Sequence, residues 1–345
     1  MSPENLALKI REKAMGAGFD HCGIVKVDAV AEYALRLEQR VAAFPRSKPY
    51  YEFLAKLGTP NAAHEWGRSI IVCTMRYGKY RIPNQANNHI GKLYLYGGYK
   101  QPSYSREYAG IAAFDAFLAA EGIRFAKELF GIAPARLCAA KANLGIIRNN
   151  NFLYTEHGSW VWLETWLIDR ELEYRERPKT LPSCPPGCSR CIDACPTGAL
   201  KAPFLTDMGT CIARLTYSPS GEEAPEHLRE SMGAWLYGCD DCQNACPMNR
   251  DRWEETEEYP QLEELSRHIS LEKIAEMDEE TVSRILSPMF WIIGKDKLWM
   301  WKCNVIRAMA NSKDARYSGA IRKLCDDGND NVRRTAEWAC RQLGI

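Results

Sequence analysis

Apolar residues recur at Leu6, Ile10 and Ala14 and mark one face of a helix. Ser2-Pro3-Glu4 ahead of them supplies an N-cap followed by proline at the first helical position. Gly16 and Gly18 end that helix, and Cys22-Gly-Ile-Val-Lys-Val resumes as a short buried strand. Ser69-Ile-Ile-Val-Cys-Thr-Met is a second continuous apolar run of strand length. Residues 80–105, dense in Tyr, Gly and Asn, read as a long loop of the kind that carries function in a compact domain. Residues 110–130 are helical in pattern, and 139–154 add an apolar segment before a turn at Gly158-Ser-Trp. Helix and strand thus alternate over the first 175 residues, as in an α/β layer.

Pro178, Pro182, Pro185 and Pro186 then interrupt regular structure and set a boundary. Further on, residues 251–280 hold 3 basic and 12 acidic side chains, whereas 281–345 hold 12 basic and 6 acidic. Ala320-Ile-Arg-Lys-Leu followed by Asp326-Asp-Gly-Asn-Asp-Asn-Val-Arg-Arg-Thr-Ala-Glu-Trp-Ala resembles the paired helices of HEAT-like repeats. Residues 307–310 and the turn Asn311-Ser-Lys-Asp would be the preceding helix and its end. The chain therefore divides into 1–175, 176–250 and 251–345, as expected of a 345-residue protein with two or three compact units.

Composition narrows the class. With 46% apolar and 26% charged residues the protein is ordinary and globular, and 45 basic against 44 acidic side chains leave a net charge of +1. No global field draws it to nucleic acid or to a membrane. No apolar run approaches the ~18 residues of a membrane span, and the first residues lack a signal-peptide core. The expected location is cytoplasmic.

The 14 cysteines change the picture. Cys22, Cys73, Cys138, Cys303, Cys325 and Cys340 are scattered singly and read as small buried hydrophobes. The other eight fall in two copies of one arrangement, Cys188-x2-Cys191-x3-Cys195-Pro and Cys239-x2-Cys242-x3-Cys246-Pro, with Cys184 and Cys211 as further ligands. Two intervening residues aim both sulfurs at one cube, while the cysteine before proline points to the other. Cys184, Cys188, Cys191 and Cys246 are thus assigned to one [4Fe-4S] cluster, and Cys195, Cys211, Cys239 and Cys242 to a second. Paired zinc sites are the competing reading, which the Cys-Pro endings disfavour. Cys184-Pro-Pro-Gly-Cys188 holds one residue more than the bacterial ferredoxin run, so Cys184 is either a displaced ligand or none.

Beyond the ligands, Ala194-Cys-Pro-Thr-Gly-Ala199, Cys211-Ile-Ala-Arg-Leu-Thr216 and Gly238-Cys-Asp-Asp-Cys-Gln243 resemble the epoxyqueuosine reductase family. So do Gly18-Phe-Asp, Ala142-Asn-Leu-Gly145 with Asn150, and Gly158-Ser-Trp, and together they cover nearly the whole chain. The resemblance implies a multidomain α+β protein with three parts. These are a nitroreductase-like α/β cobalamin-binding domain, a ferredoxin-like domain with two [4Fe-4S] clusters, and a HEAT-like helical unit. It implies cobalamin bound without a histidine ligand, which agrees with the absence of an Asp-x-His-x-x-Gly stretch. FMN is the competing guest, since nitroreductase-like folds bind it. An external electron donor of ferredoxin or flavodoxin type is implied, with a small molecule or a tRNA as substrate.

The chain also departs from that family. Where the family carries a catalytic aspartate, Leu129-Phe-Gly-Ile-Ala-Pro134 holds no acid. Asn143-Leu-Gly-Ile-Ile-Arg-Asn-Asn150 lacks the family's Trp and Lys, and Arg106-Glu-Tyr-Ala109 lacks its histidine. The expectation is a paralogue with the same electron chain and a different substrate, the alternatives being an electron-transfer iron–sulfur protein serving a separate corrinoid or flavin protein, and a tRNA epoxyqueuosine reductase with a substituted proton donor. Tyr104, Arg106 and Tyr108 are the candidate reacting residues, a tyrosine beside an arginine being a plausible acid. Gly145, Asn150, Gly158, Ser159 and Trp160 are the candidate corrin-lining residues. His64, His89 and His157 read as solvent-exposed, with acid or ligand roles as the alternative. Lys295, Lys297, Lys302, Arg307 and Lys313 with Trp291, Trp299 and Trp301 could meet an RNA, or could be the solvated faces of helices.

Overall fold

A computed structural model describes residues 2–84, 86, 89–96, 106–174, 181–218, 221, 223–259 and 261–345, and of Arg106 the backbone only. Helix α1 (Pro3–Gly16) starts as its sequence dictates: the Ser2 hydroxyl accepts the Asn5 N–H at 3.2 Å, and Ala7, Ile10 and Ala14 are buried. Strands β1 (His21–Lys26) and β2 (Ser69–Arg76) pair antiparallel, with α2 (Glu32–Ala43) and α3 (Lys48–Ala55) between them in sequence. After the single turn α4 (Lys92–Leu95) comes α5 (Arg106–Ala120). It stops ten residues short of the sequence expectation, because Gly122 turns the chain at φ +65° and β3 (Phe125–Ala126) then joins the sheet. Helix α6 (Ala135–Lys141), the hairpin β4 (Ile146–Ile147) and β5 (Leu153–Tyr154), and β6 (Val161–Ile168) complete this part.

The sheet order is β1-β2-β6-β3, and every pairing is antiparallel. The architecture is therefore multidomain α+β, and the parallel crossovers of an α/β layer are absent among the described residues. Strand β6 has no counterpart in the sequence expectations. Glu164 and Thr165 break its apolar run, yet both are buried, because the sheet is covered on both faces. Ile24, Ile71, Trp166 and Ile168 share a core with α1 and α5, and Val25, Ile70, Val72 and Leu167 share another with α6. Trp166 meets Phe19 and Phe114 edge-on, with ring centroids at 5.7 and 4.9 Å.

The cysteine-bearing segment contains only short elements: α7 (Arg190–Asp193), β7 (Leu200–Ala202), β8 (Leu205–Thr206), α8 (Ile212–Thr216), α9 (Glu226–Arg229) and α10 (Asp241–Asn244). Residues beyond it return to the first part. Glu254 N–H donates to Gly78 O at 2.8 Å, and Arg81 N–H to Glu257 O at 2.8 Å. The acidic stretch thus begins as a strap along residues 78–81. Then follow α11 (Leu262–Ser266), α12 (Leu271–Glu276), α13 (Glu279–Ile285), α14 (Trp299–Ser312), α15 (Ser318–Leu324) and α16 (Asp330–Leu343), with α14 packed between α12 and α16.

Two sequence expectations fail here for the same reason, burial. Trp301 and Arg307 are almost fully enclosed, so neither can stack on a base or meet a phosphate. Lys302 is held by Asp327 at 2.7 Å. Among the single cysteines, Cys22, Cys73 and Cys138 are buried as expected, whereas Cys325 and Cys340 are half-exposed with their sulfurs 3.7 Å apart. Among the described residues, no helix is long and apolar enough to cross a membrane.

Candidate metal centre

Each cysteine copy folds by the same local rules. Around the first, Ala194 N–H donates to Arg190 O and Cys195 N–H to Ile192 O, both at 3.1 Å. Around the second, Ala245 N–H donates to Asp241 O at 3.0 Å and Cys246 N–H to Gln243 O at 3.2 Å. The single helical turns α7 and α10 result, packed against each other, and Pro196 and Pro247 prevent either from continuing.

This packing brings sulfurs of the two copies near one another. The thiol of Cys191 is pushed up to about 11 by burial, and the neighbouring charges that raise it further are Cys246, Cys184 and Cys188. Burial likewise raises Cys242, which also feels Cys211, Cys195 and Cys191, and raises Cys239, which feels Cys211 and Cys242. Sulfurs of the two copies thus act on one another, with Cys184, Cys188 and Cys246 felt at Cys191 and with Cys211, Cys195 and Cys191 felt at Cys242. Among the described residues no three of these sulfurs lie mutually within 4.8 Å. Burial raises the thiols of Cys191, Cys211, Cys239 and Cys242, so binding a metal through them releases protons.

The part of the chain that carries the β1-β2-β6-β3 sheet grips this segment through residues that sequence reading assigned elsewhere or missed. Arg148 Nη2 donates to Pro182 O at 2.8 Å and its Nη1 stands 3.9 Å from Cys184 Sγ. Asn149 Nδ2 donates to Cys188 O at 2.8 Å, and Asn150 Nδ2 to Cys242 O at 3.1 Å. Three successive side chains thus touch both copies. Ser159 N–H donates to Asn249 Oδ1 and Ser159 Oγ to Gln243 Oε1, both at 2.8 Å, and Asn249 Nδ2 returns a bond to Ser159 Oγ. Gly158 sits at φ +72° with Asn249 in the space a Cβ would fill. Gly145 packs against the Tyr154 carbonyl. Of the five expected corrin-lining residues, Asn150, Gly158 and Ser159 are hinged to the cysteine segment and Gly145 to β5. Only Trp160 keeps a buried polar atom, Nε1, without a partner among the described residues. The one sequence signal for the missed anchors was the polar run Arg148-Asn-Asn-Asn151 between apolar segments.

From the other side, α14 props the second copy. Asn304 Nδ2 donates to Thr216 O at 2.7 Å and Leu236 O at 2.9 Å, Arg307 to Trp235 O, and Asn311 Nδ2 to Arg229 O and Gly233 O, both at 2.9 Å. Gly238, at φ +79°, lets the Tyr94 ring and Gly91 close over Cys239.

Tyr104 lies outside the described residues, as does the Arg106 side chain; Tyr108 is half-buried on the first turn of α5. Beside it Glu107 is buried, accepts a hydrogen bond from Tyr80 and leaves Oε2 without a partner among the described residues. Burial raises its pKa, which Lys79 partly offsets. Gly131 stands in the acid-free stretch at φ +92°, and the nearest acid, Glu128, pairs outward with Lys56.

Residues 184–249 match the family model described as a 4Fe-4S double cluster binding domain. Fold and site together define an iron–sulfur oxidoreductase. An epoxyqueuosine reductase of Cellulophaga algicola is 30% identical over 255 residues, covering 70% of this chain and 78% of that one. One of Prochlorococcus marinus is 27% identical over 318 residues, covering 87% and 96%. The chain belongs to the epoxyqueuosine reductase family. The fold agrees: a crystal structure of epoxyqueuosine reductase with an epoxyqueuosine-modified tRNA stem loop aligns with a TM-score of 0.80 at 23% identity, over 100% of this chain and 92% of that one. The Bacillus subtilis enzyme, with its catalytic loop swung out of the active site, aligns with a TM-score of 0.79 over the same shares.

Proposed function

We propose that the protein is a cobalamin- and [4Fe-4S]-dependent reductase of an electrophile not yet identified, with Cys184, Cys188, Cys191 and Cys246 holding one cube and Cys195, Cys211, Cys239 and Cys242 the other. The observation that supports this reading is the run Arg148, Asn149 and Asn150, whose side chains reach both cysteine copies at Cys184, Cys188 and Cys242. Eight thiolates divided in this way satisfy two cubes without remainder. In this reading residues 1–175 are the nitroreductase-like cofactor domain, 176–250 the ferredoxin-like domain and 251–345 a HEAT-like helical buttress.

The first domain fits a guest that brings hydrogen-bonding arms. Trp160 Nε1, Trp253 Nε1 and Glu107 Oε2 are buried without partners among the described residues, in one aromatic nest with Tyr77, Tyr80 and Tyr96. When bound, the cubes supply single low-potential electrons and cobalamin a redox-active metal centre that uses them. The chain's own share is position and protons. Trp160, with Tyr104, Arg106 and Tyr108, would hold the corrinoid and its substrate, and Asn150, Gly158 and Ser159 would fix the cubes against that site. Anaerobic reconstitution followed by addition of cobalamin tests the proposal. Corrin bands that coelute with cluster bands are expected, and a protein with intact clusters that binds no corrinoid would overturn it. Binding of FMN instead would move the reading to a flavoprotein.

A second reading, a tRNA epoxyqueuosine reductase with a substituted proton donor, is favoured by Glu107. Its buried carboxyl keeps its proton more readily than an exposed one. Turnover of epoxyqueuosine-containing tRNA by the loaded protein, lost in Glu107→Gln, would establish it; no turnover would dismiss it.

A further inference from the structure

At the first residue of β1, outside the cysteine segment, two imidazoles and a carboxylate converge. The ligand atoms of His21, Glu156 and His157 all lie within 4.8 Å of one another. Glu156 Oε1 stands 2.8 Å from His21 Nε2 and 4.0 Å from His157 Nε2. The two rings are nearly parallel, at 19°, with centroids 6.4 Å apart. An ordinary ion pair does not account for this arrangement. His21 Nε2 is shielded from solvent and makes no hydrogen bond among the described residues, although a carboxylate oxygen is 2.8 Å away. The oxygen therefore stands beside the nitrogen and not along its N–H direction, as when both atoms face a third point.

The three residues are also held on rigid backbone. His21 is paired with Thr74 across β1 and β2. Glu156 and His157 occupy a two-residue turn closed by hydrogen bonds in both directions between Thr155 and Gly158, at 3.0 and 3.1 Å, and His157 N–H is fixed on Thr155 Oγ1 at 3.1 Å. Preformed geometry of this kind is what a metal site needs.

We propose that His21, Glu156 and His157 form a binding site for an imidazole-preferring divalent transition cation of the zinc class, with water completing the coordination on the half-exposed side. The cation would pin the 155–158 turn to the edge strand. That turn carries Gly158 and Ser159, the hinge on Gln243 and Asn249, so the metal would stiffen the joint between the two domains.

Zinc itself is the probe. The cluster-loaded protein is dialysed anaerobically against buffered zinc, and retained zinc and iron are counted together. The wild type is expected to retain a single zinc with its iron unchanged. His157→Ala and Glu156→Gln, both in a half-exposed turn, should retain iron but no zinc. Slowed amide exchange over residues 157–160 on zinc addition should appear in the wild type alone. Equal zinc in wild type and variants, no zinc in either, or zinc gained at the expense of iron would overturn the proposal.

Discussion

Gly238 has a task no other residue can perform. Its φ of +79° and the Tyr94 ring lying where a Cβ would stand combine backbone strain with overlap. Gly238→Ala should cost about 1–3 kcal/mol from the backbone alone, seen as a lower Tm and less iron retained. Glu107 makes a prediction of the opposite kind. Burial holds its folded-state pKa above the ordinary glutamate value, so the folded protein takes up the proton more readily than the unfolded chain. Its favourable contribution is complete below that value and is lost as pH rises through the raised one. Glu107→Gln, which keeps an acceptor for Tyr80, should remove that loss. The Tm gap between variant and wild type should widen in the variant's favour as pH climbs out of the acid range. A gap independent of pH would contradict this.

Among the elements, α14 matters most to the metal centre. Asn304→Ala would leave the Thr216 and Leu236 carbonyls buried without a donor, a loss of about 1–3 kcal/mol. Denaturant unfolding should register it, and the cube on Cys211, Cys239 and Cys242 should be the more labile one. Much of the element plan was legible in the chain. The cap at Ser2, the two apolar strands, the end of α14 at the left-handed Lys313 and the twin Cys-x2-Cys turns all follow from local rules. What was not legible depends on distant partners. Strand β6 reads as broken because Glu164 is buried by neighbours that no local window contains. Asn150 and Ser159 look like cofactor contacts in sequence, and only the fold reveals that their hydrogen bonds end on Cys242 and Gln243. Arg307 and Trp301 read as a basic, aromatic surface because sequence does not show which side of a helix is covered.

For the molecule as a whole, the proposed exchange of sulfurs between copies makes a clean test. Cys246→Ser lies in the second copy yet should impair the cube formed by Cys184, Cys188 and Cys191, and Cys195→Ser should impair the other. In each variant about half the iron should remain, with electron paramagnetic resonance after reduction reporting one cluster where the wild type reports two coupled ones. Loss of the cube within the mutated copy would refute the assignment of ligands. The core that binds these parts is continuous, running from Ile10 in α1 through Tyr237 to Trp301 and Ala336, so the three regions should melt in one transition.

The hydrogen bonds from Asn304, Arg307 and Asn311 to the backbone before Cys239 also set an order of events during synthesis. All eight candidate ligand cysteines, the last being Cys246, are synthesised before the helix that steadies this loop, Trp299–Ser312. The nascent chain therefore passes through a stage in which all its metal ligands exist while one wall of their cradle does not. Iron delivery is best matched to the end of translation, and chains cut short before Ser312 should emerge as metal-poor substrates for proteolysis.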